Sequence, residues 1–478
     1  MRIVRKGDPT YNDDRRIANA RFDYHPDSIY YCGNPDDVKR ALHDARSGGL
    51  HVRIRSGAHQ HEGMCSANNV LMIDLSEIHQ ISFSSDQKTA WIGAGTKLGY
   101  LYNELFARKR ILPGGGCGDV CVGGLVQGAG WGPYSRALGL TCDRLLDFNM
   151  VRADGEIITN AGRDHDLSWA VRGGGGGNFG VVTEFQFSLA DVSIPFWQFT
   201  VAWENPEWTL KVMEEWCANF PSDKEHKLTS FCRVTTPGGE DAPIIVAGYF
   251  LGDEAQVRAY LPRLLPHTYS AGKATFEPVY PKPTGPVHHP EYQPGPPLAA
   301  LRALGREKPP KDTCDGGFYP HKVSSCFPRS GFSAEAMQTI KKYLEGSKAE
   351  PEARRYLSLH CMGGAIARPP GDDWSCFPFR NKPFILQYQT WWANEKDKPL
   401  GERCLAWIKN FRETMKPFTE GAFINFPDKD LVPNPDTPDG RKALLKYYYA
   451  DNLDRLIGIK QNYDPKNFFN FEMGIPTS

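Results

Sequence analysis

Three short stretches hold most of the side chains suited to reaction. The first is Arg53-Ile54-Arg55-Ser56-Gly57-Ala58-His59-Gln60-His61-Glu62-Gly63, two imidazoles among small residues. Small residues after a strand let successive backbone N–H groups approach a diphosphate and donate to it. Read blandly, the same stretch is a tight turn with solvated polar groups. The second is Gly114-Gly115-Gly116-Cys117-Gly118-Asp119-Val120-Cys121-Val122-Gly123-Gly124. It sets the Cys117 thiol on a backbone that can approach a ligand closely; the alternative is a buried thiol in a turn. The third runs from Arg172 through Gly177 into Asn178-Phe179-Gly180-Val181-Val182-Thr183. Glycine loses more backbone entropy on folding than any other residue. A run of glycines therefore makes sense where a planar or anionic ligand must touch the main chain.

The chain that positions these stretches has 478 residues, enough for two or three domains. Apolar residues make up 40% and charged residues 23%, the balance of a soluble globular protein. Lys plus Arg and Asp plus Glu both number 56, so net charge argues against nucleic acid or an anionic membrane as partner. No apolar run reaches the length of a membrane span. The start, MRIVRKGDPTYNDDRR, has no apolar segment of a secretory signal, and the expected location is the cytoplasm. The 12 cysteines form no CxxC pair. A disulfide framework and a structural metal site are thus poorly supported, and most of these cysteines are expected as buried thiols.

Local patterns supply the elements. PDDVKRALHDARSG reads as a helix with Pro at its start and Gly at its end. HVRIRSG, NVLMIDLS and TAWIGAGT read as strands, and KLGYLYNELFARKR as a helix with Leu98, Leu101 and Leu105 on one side. RLLDFNMVRADGEIITN carries the strand, Asp-Gly turn and strand of a hairpin. Beyond about residue 190 glycine thins out. FWQFTVAW, PIIVAGYFLG, YLSLHCM and FILQYQTWW then alternate with the amphipathic EAMQTIKKYLEG and ERCLAWIKNFRETM, as in an α+β domain with an antiparallel sheet. YPKPTGPVHHPEYQPGPP is expected as a surface loop, and LLKYYYADNLDRLIGIK as one helix near the C-terminus.

RSGAHQHEG, GGGCGDVCVGGLVQGAGWG, VRGGGGGNFGVVTEF and the tail YYYADNLDRLIGIKQNYDPKNFFNF stand in an order and spacing that together are specific. They resemble the FAD-linked oxidases of the vanillyl-alcohol oxidase / p-cresol methylhydroxylase family, in the berberine-bridge-enzyme-like branch. The resemblance implies an α+β, two-domain flavoprotein. Its split FAD-binding domain would span residues 1–192 and 430–478, and its antiparallel-sheet substrate domain residues 193–429.

It also implies FAD held by two covalent bonds. His59 stands where the branch attaches the flavin 8α-methyl group, with Ala58 replacing a glycine; alanine keeps the turn if its φ is negative. His61 lies two residues late and reads as an exposed or hydrogen-bonding residue. Cys117 stands where the branch bonds the sixth ring carbon, and Cys121 replaces a glycine of that motif. Two such links would make the flavin more electron-poor and a stronger hydride acceptor. The implied FAD contacts include Arg55, Ser56, Gly57, Ala58 and Gln60 around the histidine. Around the cysteine they are Gly116, Val120, Gly123, Gly124, Gly128 and Gly130. Gly177, Asn178, Gly180 and Val182 follow from the third cluster, and Asn452 from the tail. No metal is implied.

In the resembling enzymes a sheet roofs the flavin, and alternate strand residues face it. Gln387, Gln389 and Trp391 then line the cavity, or, on the blander reading, face solvent. His360 reads as an ordinary packed histidine. The usual base is the second tyrosine of Y-x-N-Y-x-D, but here the segment is Phe423-Ile424-Asn425-Phe426-Pro427-Asp428. A phenyl ring accepts no proton. Tyr134, Tyr388, Tyr449, His360 and Lys322 are the alternative bases, unless the substrate needs none. The catalytic set is therefore expected among Tyr449, Gln387, Gln389, Phe426 and Tyr134. The expected reaction is hydride transfer from a small alcohol, sugar, amine or phenolic metabolite to FAD, with dioxygen reoxidising it to give hydrogen peroxide. The rival readings are an oxidative cyclase or dehydrogenase of specialised metabolism, and a flavin-binding protein without turnover. A nicotinamide enzyme is disfavoured, since no G-x-G-x-x-G follows a strand with the acidic residue such sites need.

Overall fold

The computed structural model describes every residue except 193, 240, 281–318, 330–331 and 395. Most of the proline-rich segment lies outside the described residues.

The first sheet holds β1 (Arg2–Arg5), β2 (Ser28–Tyr31), β3 (Val52–Arg55) and β4 (Leu71–Asp74), in the order β1-β2-β4-β3. β2, β4 and β3 run parallel. Every residue of β2 and β4 is buried, as parallel strands covered on both faces require. The helix Pro35–Ser47 follows β2 and leads to β3. Asn34 caps it by accepting from the Asp37 N–H, and Val38, Ala41, Leu42 and Ala45 form its buried stripe. The first chemical stretch leaves this sheet directly from the end of β3.

The second sheet is antiparallel: β5 (Ile81–Phe83), β6 (Thr89–Gly93), β8 (Leu145–Val151), β9 (Ile157–Ile158) and β10 (Val181–Ser188), in the order β5-β6-β10-β8-β9. β8 and β9 form the Asp-Gly hairpin, with Gly155 at φ +90° in its turn. β7 (Arg110–Ile111) and β11 (Ala190–Asp191) pair as a small ribbon.

The third sheet has eight strands among the described residues. They are β12 (Phe196–Trp203), β13 (Leu228–Thr235), β14 (Ile244–Leu251), β15 (Lys273–Tyr280), β16 (His321–Pro328), β17 (Ala353–Cys361), β18 (Phe384–Trp392) and β19 (Thr419–Glu420). Their order is β15-β12-β14-β13-β17-β18-β16-β19, antiparallel throughout. The helices Trp208–Asn219, Glu254–Leu264, Ala334–Glu345 and Lys398–Met415 bury one face of this sheet through Trp216, Leu261, Ile340, Phe411 and their neighbours. The opposite face turns toward the first two sheets.

One core runs from Tyr30 to Leu189 and takes in the C-terminal segment from Ala422 to Ile475; a second fills the space between the third sheet and its helices. The C-terminal segment differs from the single helix expected. Pro438–Tyr449 and Leu453–Tyr463 are separate helices joined by the turn Ala450–Asn452. Ala450 takes φ +46°, which no right-handed helix accommodates. Among the described residues no helix is long and apolar enough to cross a membrane.

Candidate active site

A cavity of about 720 Å³ lies between the glycine clusters and the face of the third sheet that its helices leave uncovered. That volume is in the range of ligand and cofactor sites. Its floor is built by Ser56, Gly57, Ala58, His59 and Gln60 after β3, by Gly116, Cys117 and Val120, and by Gly177 and Asn178. A Cβ added to Gly124 would meet nothing within 4 Å, and one at Gly116 only Pro133 at 3.9 Å. The floor is thus main chain facing open space, a cradle that side chains would fill. This donor set suits a flavin dinucleotide: backbone amides for the diphosphate, and an imidazole and a sulfur at the edge. Gly128, Gly180 and Val182 also line the cavity. Gly128 admits Asn425, whose Oδ1 would lie 1.5 Å from an added Cβ, and Asn425 Nδ2 donates to the Leu125 carbonyl at 3.0 Å.

His59 sits in this floor, and burial holds it below the usual imidazole range, with Asp119 opposing and Lys97 adding to the shift. Asp119 itself pairs with Lys97 at 3.3 Å. A neutral imidazole is the form with a nitrogen lone pair to bond carbon. Cys117 lines the same floor but is held in a disulfide. One sulfur cannot carry a disulfide and a flavin thioether together, so the expectation of a flavin link at Cys117 applies only to its reduced form. Ten other described cysteines are free. Cys121 donates to the Gly95 carbonyl, and burial pushes its thiol up to about 12.

Several expected contacts are placed elsewhere. Arg55 is a core residue, ion-paired with Asp74 and donating to the carbonyls of Asp14 and Arg16. Gly123 packs on the Ala94 carbonyl, 2.7 Å from where its Cβ would stand. Gly130 is required by Thr141 behind it, and Asn452 donates to the Cys376 carbonyl at 3.0 Å. Ala58 contradicts the condition set for it: its φ is +61°. Neither the type of residue nor the local spacing reveals a left-handed turn at an alanine.

The expected tyrosine bases also fail on geometry. Tyr134 packs against Phe196 and Tyr249 away from the cavity. Tyr388 points into the second core, against Cys326 and Phe411. Tyr449 lines the cavity, but its hydroxyl donates to the Gly174 carbonyl at 2.8 Å and burial pushes its pKa well up. Lys322 is locked among Glu62, Asp428 and Asp430 at 2.7, 2.6 and 2.8 Å, on the far side of β16. The kept Asp428 of the tyrosine frame therefore serves an ion cluster.

The roof carries the polar chemistry. Gln387, Gln389 and Trp391 of β18 face the cavity with His360 of β17 and His321 of β16. Trp391 Nε1 donates to Gln389 Oε1 at 3.1 Å, as does Tyr356 Oη at 2.9 Å. Gln389 Nε2 donates to Gln387 Oε1 at 2.8 Å, and His360 Nε2 stands 2.7 Å from the same oxygen. An indole nitrogen only donates, so it fixes every group downstream. Gln389 must turn its oxygen to Trp391, Gln387 must turn its oxygen to Gln389, and His360 must carry its proton on Nε2. The Gln387 amide nitrogen remains as a donor for a ligand.

Phe423 and Phe426 line the cavity, and the Phe426 ring lies 6.3 Å from that of His61 and 5.7 Å from that of His360. His61 Nδ1 is 3.0 Å from His321 Nε2, and the His321 ring stacks on Trp391 at 4.0 Å. No local pattern links these two histidines, which stand 260 positions apart. Among the described residues no group of three or more His, Cys, Asp or Glu could hold a metal.

Comparison with known proteins agrees with this geometry. Residues 26–161 match the FAD binding domain family and residues 422–476 the berberine and berberine-like family. The uncharacterized FAD-linked oxidoreductase YgaK of Bacillus subtilis is 33% identical over 483 residues, covering 99% of this chain and 96% of its own. The monolignol oxidoreductase AtBBE-like 13 of Arabidopsis thaliana is 28% identical, covering 95% and 84%. Among solved structures, glucooligosaccharide oxidase from Acremonium strictum, with its 6-S-cysteinyl, 8α-N1-histidyl FAD, superposes with a TM-score of 0.81 at 22% identity. That superposition covers 100% of this chain and 97% of the oxidase. The shared fold is the two-domain α+β architecture of these flavoproteins. The chain belongs to the berberine bridge enzyme-like family of FAD-linked oxidoreductases.

Proposed function

We propose that the protein holds FAD covalently through His59, with reduced Cys117 able to form a second link, and oxidises an alcohol carbon of a small organic molecule. The observation that carries this reading is the cavity itself: a main-chain floor holding a neutral imidazole faces a roof that offers an amide donor. FAD, when bound, accepts the hydride. The chain's own groups bind and orient the alcohol. The Gln387 amide nitrogen donates to its oxygen, and the aromatic faces of Trp131, Trp391 and Phe426 exclude water from the reacting carbon. Dioxygen takes up the two electrons and two protons released, giving hydrogen peroxide. Relatives acting on monolignols and glucooligosaccharides support an alcohol group as the reacting class.

The test has two stages. Denatured protein should retain flavin on a gel, His59→Ala should lose that retention once Cys117 is also changed to Ser, and free FAD released from unmutated protein would refute the covalent claim. The holoenzyme is then mixed without oxygen with cinnamyl alcohol, cellobiose and a cyclic amine. Bleaching by an alcohol, with peroxide on admitting air, is expected; bleaching by the amine alone would overturn the alcohol reading.

A further inference from the structure

We propose that His61 is the general base of this oxidation, taking the hydroxyl proton of the substrate at Nε2. The proposal deepens the reading above and rests on it. It stands on the protonation pattern that the fold imposes on two rings, the half-buried His61 and the buried His321.

The pattern starts at a backbone carbonyl. His321 Nδ1 lies 2.9 Å from the Tyr319 carbonyl oxygen, which can only accept. Nδ1 therefore carries the proton of the neutral His321 ring, and its Nε2 is bare. Burial keeps that ring neutral, holding it well below the usual imidazole range. The bare His321 Nε2 faces His61 Nδ1 at 3.0 Å, so His61 must donate from Nδ1. A neutral imidazole has one ring proton. His61 Nε2 is left with its lone pair.

The scaffold around the pair is rigid. Asn19, itself 1% exposed, donates from Nδ2 to the His61 carbonyl at 2.7 Å and to the His321 carbonyl at 3.0 Å. Its Oδ1 accepts from the His321 N–H at 3.1 Å. One side chain thus ties both backbones together. Trp391 stacks on His321 from the other side. This is the arrangement of an oriented base: a proton acceptor whose tautomer is set by a second group and whose second group is held by a third.

Position supports the role. His61 lines the cavity two residues from His59 and beside Phe426, which fills the place of the tyrosine that resembling enzymes use. The rival histidine is less suited. The bare Nδ1 of His360 is buried with no hydrogen-bond partner among the described residues, and its Nε2–H is committed to Gln387. Burial first, then the nearby His59 and Arg21, hold His61 down to about 3, and His321 is its hydrogen-bond partner. It is therefore unprotonated throughout the neutral range. So weak a base suffices, because the hydroxyl proton becomes strongly acidic as its oxygen turns into a carbonyl oxygen.

The step balances. The C–H electron pair leaves as hydride to the flavin. The O–H bond breaks, its electron pair forms the second C–O bond, and the proton forms an N–H bond at His61 Nε2. His321 Nε2, hydrogen-bonded to His61 Nδ1, shares the resulting positive charge.

Three measurements test this. The first needs no substrate: long-range nitrogen–proton NMR of the holoenzyme labelled with 15N-histidine, assigned by the signal lost in His61→Asn or His61→Phe. A bare Nε2 and a protonated Nδ1 on His61 are expected; a proton on Nε2 would overturn the proposal. The second is anaerobic flavin bleaching with cinnamyl alcohol and cellobiose. In His61→Asn the new side-chain amide nitrogen can replace Nδ1 as donor to His321 without supplying a base. His61→Asn should therefore keep flavin content while bleaching slows by on the order of a hundredfold to ten-thousandfold. In the unmutated enzyme kcat/KM should stay level from about pH 5 to about pH 8, where a tyrosine base would make it climb. Equal bleaching rates would exclude His61 and leave the oxidase reading intact. An unmutated enzyme that neither alcohol bleaches would remove the oxidase reading, and with it the proton assigned to His61.

Discussion

The floor and the roof of the cavity face each other across one ligand space but are built on opposite principles. The floor meets its ligand with main chain. Gly116 and Gly124 leave open space where side chains would stand, and Ala58 sits at φ +61° to complete the turn before His59. The roof meets its ligand with side chains on a fully buried strand, each pinned by the next: Trp391 to Gln389, Gln389 to Gln387, Gln387 to His360. A floor of that kind tolerates no added bulk but is indifferent to the identity of distant residues. A roof of that kind tolerates changes of bulk away from the cavity but depends on the direction of each hydrogen bond. The two halves are joined at one point, where His61 of the first stretch meets His321 of the roof at 3.0 Å.

The contrast is tested most severely at Gly124. A Cβ there meets nothing, so Gly124→Val should fold with its melting temperature in the flavin-free state unchanged. The branched side chain would project into the cradle and abolish flavin incorporation. The ratio of flavin to protein absorbance reads this directly; normal flavin content would show that the floor is not main-chain recognition. A smaller effect is expected in the roof. Trp391→Phe keeps the stacked ring but removes the indole donor that sets both amides. Gln389 and Gln387 could then reverse, and the rate of flavin reduction should fall about tenfold, the equivalent of one lost hydrogen bond. Flavin content should not change, and an unchanged rate would mean that Tyr356 alone orients the amides. The least change belongs to the turn. Ala58→Gly relieves a left-handed alanine and should raise stability by about 1 kcal/mol or less, since glycine also adds freedom to the unfolded chain. Thermal melting of the holoenzyme checks the sign, and a marked loss of stability would show that packing on Ile17 and Cys65 outweighs the backbone strain.

The two halves were also unequally legible in the amino-acid sequence. The glycine clusters announce a ligand because ordering so many glycines is costly without one, and His59 and Cys117 stand inside those clusters. In the roof, the period of two along FILQYQTWW was enough to put Gln387, Gln389 and Trp391 on one face. It was not enough to say which way either amide turns. A phenol is the right type of group for a base, which makes Tyr134 and Tyr388 candidates, but one packs in an apolar cluster and the other in the second core. Arg55 sat within a cofactor motif and turned out to face inward to Asp74.

Residue types and near-neighbour spacing pointed to the groups that line the site: small residues where backbone must approach, an imidazole and a cysteine among them, and a strand of alternating side chains. These are local properties, set by a residue's own size, charge and neighbours within a few positions. Which atoms bear protons, and which imidazole is free to accept one, emerged only in the folded chain. His61 meets His321 across 260 positions, and Asn19 meets both. A hydrogen bond's direction depends on both partners, and here the partners come together only when the first sheet closes against the third.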